Sequence, residues 1–330
     1  MSLLSLNEDE LRQIITMTEA IEAIEAAFLA LADQRLHAPS PTALNFPGVN
    51  GKVEVGGVYL AQTSHFVVNL RNNFLQNAQS QLPTNSHLIL VCEAATGFPT
   101  AILADNGYIS LLRAGATGAL AAKYLANPTT HCVVVIGSGR QAYIQLKALS
   151  ATRPIQRVLV WGRTPASVDS YARQMIEDHD LNIEIAPSLE EAVRQADVLI
   201  TATTSHTPLV KASWLKPGVH ITAAGSNQPV KQEVEAEVLA RADVIITDNY
   251  QQSLMAGEVH HALLAGVLSS PKIQGELSQV ISGQIPGRTQ PNQITLADLT
   301  GVEALESVIA TKALAKAMFY GVGQEMEAQL

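Results

Sequence analysis

Cysteine, aromatic side chains and charge are all scarce in this 330-residue chain, and each scarcity narrows what it does. Only Cys92 and Cys132 are present, far apart and each within an apolar run. That points to two buried thiols rather than a disulfide scaffold, and to a reducing, cytoplasmic setting. Aromatics make up 5% of residues against 47% hydrophobics in all, so the core is built from Ala, Val, Leu and Ile. Such a mix suits parallel strands covered by helices on both faces. Charged residues amount to 15%, the formal net charge is −9, and no Lys/Arg run occurs. Nucleic acid and anionic membrane are therefore not expected as partners. No apolar run approaches the roughly 20 residues of a membrane span. Residues 1–10 also lack the charged-then-apolar order of a secretion signal.

What is present falls into two rhythms. Residues 7–31 place Ile14, Ile15, Ile21, Ile24, Ala27 and Phe28 at helical spacing, which predicts one or two amphipathic helices. Short β-like runs follow at 53–59, 65–70 and 86–93, separated by Gly, Pro and Asn breaks, as in a mostly antiparallel sheet. An Ala-rich helix at 111–125 stops at Asn127-Pro128. Beyond it, strand candidates at 132–136, 158–161, 183–185, 198–201, 220–223 and 244–247 alternate with helical stretches at 141–150, 167–179, 189–196 and 231–241. This alternation predicts an α/β, doubly wound parallel sheet of Rossmann type beside an α+β unit. Residues 301–330 read as one more Ala-rich helix.

The clearest chemical signal is the turn Gly137-Ser138-Gly139-Arg140-Gln141-Ala142, directly after an apolar strand and opening a helix. A pyrophosphate needs close backbone approach and free amides at the positive end of a helix dipole, and this turn supplies both. The context predicts a nicotinamide dinucleotide. An Asp or Glu some 20 residues on would hold the ribose hydroxyls of NAD. None occurs in 157–168; the second strand ends Trp161-Gly162-Arg163-Thr164 instead. A guanidinium beside a hydroxyl suits the 2′-phosphate of NADP, which is favoured over NAD. Thr201-Ala202-Thr203 and Gly225-Ser226-Asn227, at the ends of later strands, leave room for the cofactor, and Asp298 is counted with them.

Several blocks resemble the ornithine cyclodeaminase/μ-crystallin family. They are Asp105-Asn106-Gly107-Tyr108-Ile109 through Arg113, Ala121-Ala122-Lys123-Tyr124-Leu125, the strand and turn ending at Ala142, Val160-Trp161-Gly162-Arg163-Thr164, Ala202-Thr203-Thr204, Gly257-Glu258-Val259-His260-His261 and Ala297-Asp298-Leu299-Thr300-Gly301. The resemblance implies chemistry on imines and amino acids: cyclodeamination, ketimine reduction or oxidative deamination. It also implies a homodimer whose substrate-binding and dimerisation domain is residues 1–125 completed by 303–330, with 126–302 as the Rossmann domain. Arg113 matches the family arginine that holds the substrate carboxylate, and a bidentate guanidinium suits that task.

Departures from the family pattern are equally specific. Asn69 stands where a lysine is usual, Gly56 where one branch has a second lysine, and Asn227 where cyclodeaminases carry an aspartate. No arginine occupies residues 39–42. Cyclodeamination needs an acid and a base at the reacting carbon, so this activity itself is disfavoured. Reduction of a preformed imine asks less, since hydride comes from the cofactor and the protein positions and desolvates. Candidate groups for it are Asn69, His65, His87 and Asn227, with Glu54 beside Arg113 and Asn69 as substrate contacts. His260 and His261 are adjacent on a helix and do not face each other, so no metal is expected. Two readings stay open: a reductase of a small imino acid (or, in reverse, an amino-acid dehydrogenase), and a catalytically weakened NADP-binding protein of μ-crystallin type. A cyclodeaminase with a rebuilt site stands with the second as an alternative to the reductase.

Overall fold

A computed structural model describes residues 2–179 and 181–327. It divides into one unit of Met1–Arg113 with Glu303–Leu330 and a second of Ala114–Val302. The division falls inside the helix Tyr108–Leu125, not after residue 125. Side-chain contacts explain this. Ser110 and Arg113 in its first turns bond to Glu306, whereas the Ala114 carbonyl accepts from Gln145 Nε2 and the Ala122 carbonyl from Arg153.

In the second unit the short Val/Ile/Leu runs are buried on both faces and form an all-parallel sheet. Its order is Ile183–Ile185, Arg157–Trp161, Cys132–Ile136, Val198–Thr201, His220–Ala223, Thr295–Asp298, Val244–Thr247 and Gly275–Glu276. The chain winds outward from Cys132–Ile136 on one side and then returns to lay Val198–Thr201 on the other. That reversal creates a crevice at the carboxyl ends of these two strands, where doubly wound sheets bind ligands. The α/β class read from the sequence is the observed one. Thr295–Asp298, not recognised as a strand, inserts between His220–Ala223 and Val244–Thr247. The helix expected over 231–241 is only Ala236–Arg241, because the backbone around Glu233 is drawn into extended contacts with Leu209 and Val210.

The first unit is a mixed sheet ordered Gln324–Glu327, Ser2–Asn7, Pro99–Ala104, Asn85–Glu93, His65–Phe74, Gly51–Leu60 and Leu36–His37, with Thr42–Phe46 also on Gly51–Leu60. Only Ser2–Asn7 and Pro99–Ala104 run parallel. Glu8–Ile14 and Met17–Ala32 are two helices, each opened by a capping box, from Asn7 with Glu10 and from Thr16 with Glu19. The buried stripe Met17, Ala20, Ile21, Ile24, Ala27 and Phe28 packs Met17–Ala32 against the helix Glu306–Tyr320. The C-terminal stretch is therefore not one helix to the end. Gly321 stops it in a left-handed conformation (φ 65°), and Gln324–Glu327 pairs with Ser2–Asn7. Residues 328–330 of that expectation lie outside the described residues. No helix among the described residues is long and apolar enough to cross a membrane.

Candidate active site

The Gly-rich turn sits at the crevice. Gly137 takes φ 124°, and a Cβ there would come within 2.4 Å of the Ala202 carbonyl oxygen, so only glycine allows the two strand ends to close up. Its N–H donates to the Trp161 carbonyl (2.8 Å), and Ala202 N–H donates to the Ile136 carbonyl (2.9 Å). Gly139 has open space where a side chain would stand and caps the helix Arg140–Thr152 without a side-chain hydrogen bond. No side chain caps the start of that helix, and this cradle fits a dinucleotide pyrophosphate. Ala142 is buried against the sheet. Ser138 is half-buried, Gln141 half-buried and Arg140 exposed; Trp161 and Gly162 are half-buried, while Arg163 and Thr164 at the end of the second strand are exposed.

Two expected cofactor contacts are placed differently. Thr201 is fully buried and its hydroxyl donates to Glu233 (2.7 Å). Asp298 is fully buried too, and both its oxygens are taken up by the N–H groups of Glu258 and Val259 (3.0 Å each). It clamps the helix Glu258–Leu264 and is not a surface of the crevice. Asn227 is exposed and accepts from Lys231 Nζ (2.9 Å). Half-burial lowers the Lys231 ammonium below its ordinary value, against the opposing pull of Glu233. His260 and His261 each donate a ring N–H to a separate backbone carbonyl, those of Leu254 and Lys231, at 2.9 and 2.7 Å. Among the described residues no group of three or more His, Cys, Asp or Glu side chains is placed to hold a metal ion.

The charged centre of the chain lies in the first unit. Strand register sets Glu54, Arg71 and His87 side by side across three antiparallel strands, and Gly56, Asn69 and Ile89 in the next row. Glu306, in the first turn of Glu306–Tyr320, closes over this face with 0% side-chain exposure. Its carboxylate accepts from Arg71 (2.6 Å), Ser110 Oγ (2.9 Å) and Arg113 (3.1 Å). Burial works against its ionisation, yet Arg113, Arg71 and His87 outweigh that and hold the carboxyl below the usual range. Arg71 also pairs with Glu303.

His87 is buried between two carboxylates. Its Nδ1 lies 2.9 Å from Asp105 Oδ1 and its Nε2 3.9 Å from Glu306 Oε2. Neither contact has hydrogen-bond alignment, so both ring nitrogens are without a hydrogen-bonding partner in the structure. Asp105 is itself fixed by accepting the Ile109 N–H (2.8 Å) at the start of Tyr108–Leu125. The Asn69 side chain is 3% exposed at residue level, and its Oδ1 is likewise unpartnered. A cavity of about 270 Å³ opens against this network, lined by His87, Arg71, Ser110, Glu54, Lys52 and four asparagines. Glu54 pairs there with Lys52 at 2.5 Å.

The structure thus brings together His87, Arg113 and Glu54 from the expected set, with Asn69 in the adjacent row. It does not bring in His65. That ring sits by Ser64 Oγ (2.9 Å) beside Ser307, Val308 and Thr311, six residues and so about 20 Å along the strand from Arg71. Arg71, Asp105, Ser110 and Glu306 were not foreseen as site residues. The signal for two of them was present: Arg71 is two residues from Asn69 on a strand, and Ser110 is three from Arg113 on a helix.

Three solved structures superpose closely. An archaeal alanine dehydrogenase dimer with bound NAD is 32% identical with TM-score 0.91, covering 99% of both chains. The Δ1-pyrroline-2-carboxylate reductase of Thermococcus litoralis, in complex with NADH and L-proline, is 29% identical with TM-score 0.91, covering 98% of this chain and 100% of that one. The iminosuccinate reductase of Paracoccus denitrificans, in complex with NAD+, is 27% identical with TM-score 0.92, covering 99% and 100%. The family model for ornithine cyclodeaminase/mu-crystallin matches residues 4–318, and the chain belongs to that family.

Proposed function

We propose that the chain is an oxidoreductase acting on C=N and CH–NH bonds, and that it reduces the imine of a small imino acid. The observation that carries this reading is His87, buried in a polar cavity with both ring nitrogens unbonded and a carboxylate on either side. The Gly137–Ala142 turn would hold a nicotinamide dinucleotide, which would supply hydride for the imine carbon and leave the imine nitrogen in need of a proton. His87 Nε2 delivers that proton, with the Asp105 carboxylate 2.9 Å from Nδ1 on the other side of the ring. Arg113, at the edge of this network, holds the substrate carboxylate. Asn69 contributes a neutral amide where a lysine would bring charge, so the proton comes from the histidine and not from an ammonium.

NADP is the preferred dinucleotide in this reading. Arg163 and Thr164 stand exposed at the end of the second strand, and no carboxylate occurs in 157–168. The working unit is a homodimer: Met318, Phe319 and Tyr320 are 70%, 82% and 60% exposed in succession at one helix end. Free, buried Cys92 and Cys132 suit the reducing cytoplasm.

The decisive assay supplies NADPH or NADH with Δ1-pyrroline-2-carboxylate, Δ1-piperideine-2-carboxylate, or pyruvate or glyoxylate with an amine. Oxidation of NADPH, faster than of NADH, is expected with at least one imine. Tight dinucleotide binding without turnover on any of them would leave a binding protein in place of the reductase.

A further inference from the structure

One buried carboxylate in the second unit has an arrangement that the scheme above leaves unused. Glu233 is 0% exposed. Its Oε2 accepts from Thr201 Oγ1 (2.7 Å) and from the Gly225 N–H (2.9 Å), and its Oε1 accepts from the Thr203 N–H (2.5 Å). Val198–Thr201 and His220–Ala223 are neighbouring parallel strands, so a single side chain braces the segments that leave both carboxyl ends. The fit is tight: a Cβ on Gly225 would lie 2.5 Å from both Glu233 Oε1 and the Thr203 carbonyl oxygen.

Glu233 is held in turn from behind. Its own N–H and that of Val234 donate to Glu258 (2.8 and 3.3 Å), and Leu209 and Val210 donate to its carbonyl (2.7 and 3.1 Å). Glu258 begins the helix that Asp298 clamps through two backbone N–H groups. The series Asp298, Glu258, Glu233 therefore runs from the end of one sheet strand to the loops following two others. Each member fixes the backbone of the next element.

We propose that Glu233 is a positioning residue for the nicotinamide riboside half of the dinucleotide. The Gly137–Ala142 turn serves the pyrophosphate and the second strand end serves the adenosine ribose. The remaining half of the ligand must then extend along the later strand ends, over Ala202, Thr203 and Gly225 to Asn227. Glu233 touches none of the ligand; it sets the two backbone segments that do. This rests on the cofactor reading given above.

The test measures affinity in Glu233→Gln for NADPH and for 2′-phospho-ADP, which keeps the pyrophosphate and lacks the whole nicotinamide riboside. Glutamine turns one acceptor into a donor that faces a backbone N–H. NADPH affinity is expected to fall at least tenfold while that of 2′-phospho-ADP changes less than twofold. Thr201→Val removes one of the donors without altering shape and serves if the first variant does not fold; a threefold selective loss of NADPH affinity is expected. Equal weakening of both ligands, or no weakening in a folded Glu233→Gln, overturns the proposal. A wild-type protein that binds neither ligand overturns the cofactor reading first, and this one with it.

Discussion

At the scale of single residues, the first unit concentrates charge that its neighbours have already balanced. Glu306 would be costly to bury alone, but two arginines and a serine hydroxyl complete its hydrogen bonds. His87 differs from these in having charge nearby and no hydrogen bond, and the proposed reduction uses it as the proton donor. The two groups should separate kinetically. His87→Gln is expected to lower kcat by about 10²–10⁴ with dinucleotide affinity unchanged, the usual range for loss of a general acid. Arg113→Ala should instead raise KM, about tenfold to a hundredfold, equivalent to a charge-assisted hydrogen bond of about 1.5–3 kcal/mol. Steady-state kinetics on the best imine checks both, and a reversal of the two effects would exchange the assigned roles.

Single elements show how the same residue types are put to other use. Asp298 resembles a cofactor contact in sequence because it ends a sheet strand, yet it is turned inward to cap Glu258–Leu264. Burial pushes its carboxyl up to about 7, backbone donors notwithstanding, with Asp248 and Glu233 adding to the rise. Its folded form therefore holds a proton that the unfolded chain loses near the ordinary carboxylate value. The stabilisation this gives is present in acid and is lost as pH rises from about 4 through about 7. Asp298→Asn should flatten that part of the stability profile, while losing about 1–3 kcal/mol because one clamped N–H meets a donor. Urea unfolding at pH 5 and pH 7 measures both. An unchanged slope would mean that another carboxyl titrates in this range. Glu19 shifts in the opposite sense: despite partial burial, its bonds to Lys316 and Thr16 lower it to about 2.

On the scale of the whole molecule, the regular βα alternation made the second unit legible, since fully buried parallel strands read as unbroken Val/Ile/Leu runs. Thr295–Asp298 escaped because the strand before it in the sheet is far away in sequence, so no local alternation announces it. Ser2–Asn7 and Gln324–Glu327 escaped for a related reason, each being recognisable only through pairing with the other end of the chain. The dinucleotide turn was legible because its chemistry is local. The charged network was half legible: His87 and Arg113 stood out, but Arg71 and Glu306 acquire meaning only when strand register and a helix 235 positions later meet. The exposed Met318, Phe319 and Tyr320 belong to this scale as well. Light scattering should give twice the chain's mass, and Phe319→Glu should shift it toward the monomer; a wild-type monomer at all concentrations would reject the dimer.

The pairing of Gln324–Glu327 with Ser2–Asn7, and the seating of Glu306–Tyr320 on the sheet beside Met17–Ala32, also bear on the order of events during synthesis. The second unit is continuous in sequence and is complete once residue 302 has emerged. The first unit, although translated earlier, lacks Glu306 and Gln324–Glu327 until the second unit has been made. At about 5–20 residues per second, the ribosome holds the N-terminal sheet unfinished for on the order of ten to forty seconds. During that interval Arg71, Arg113 and His87 have no carboxylate from Glu306–Tyr320, so their charges wait for a partner made after the whole second unit.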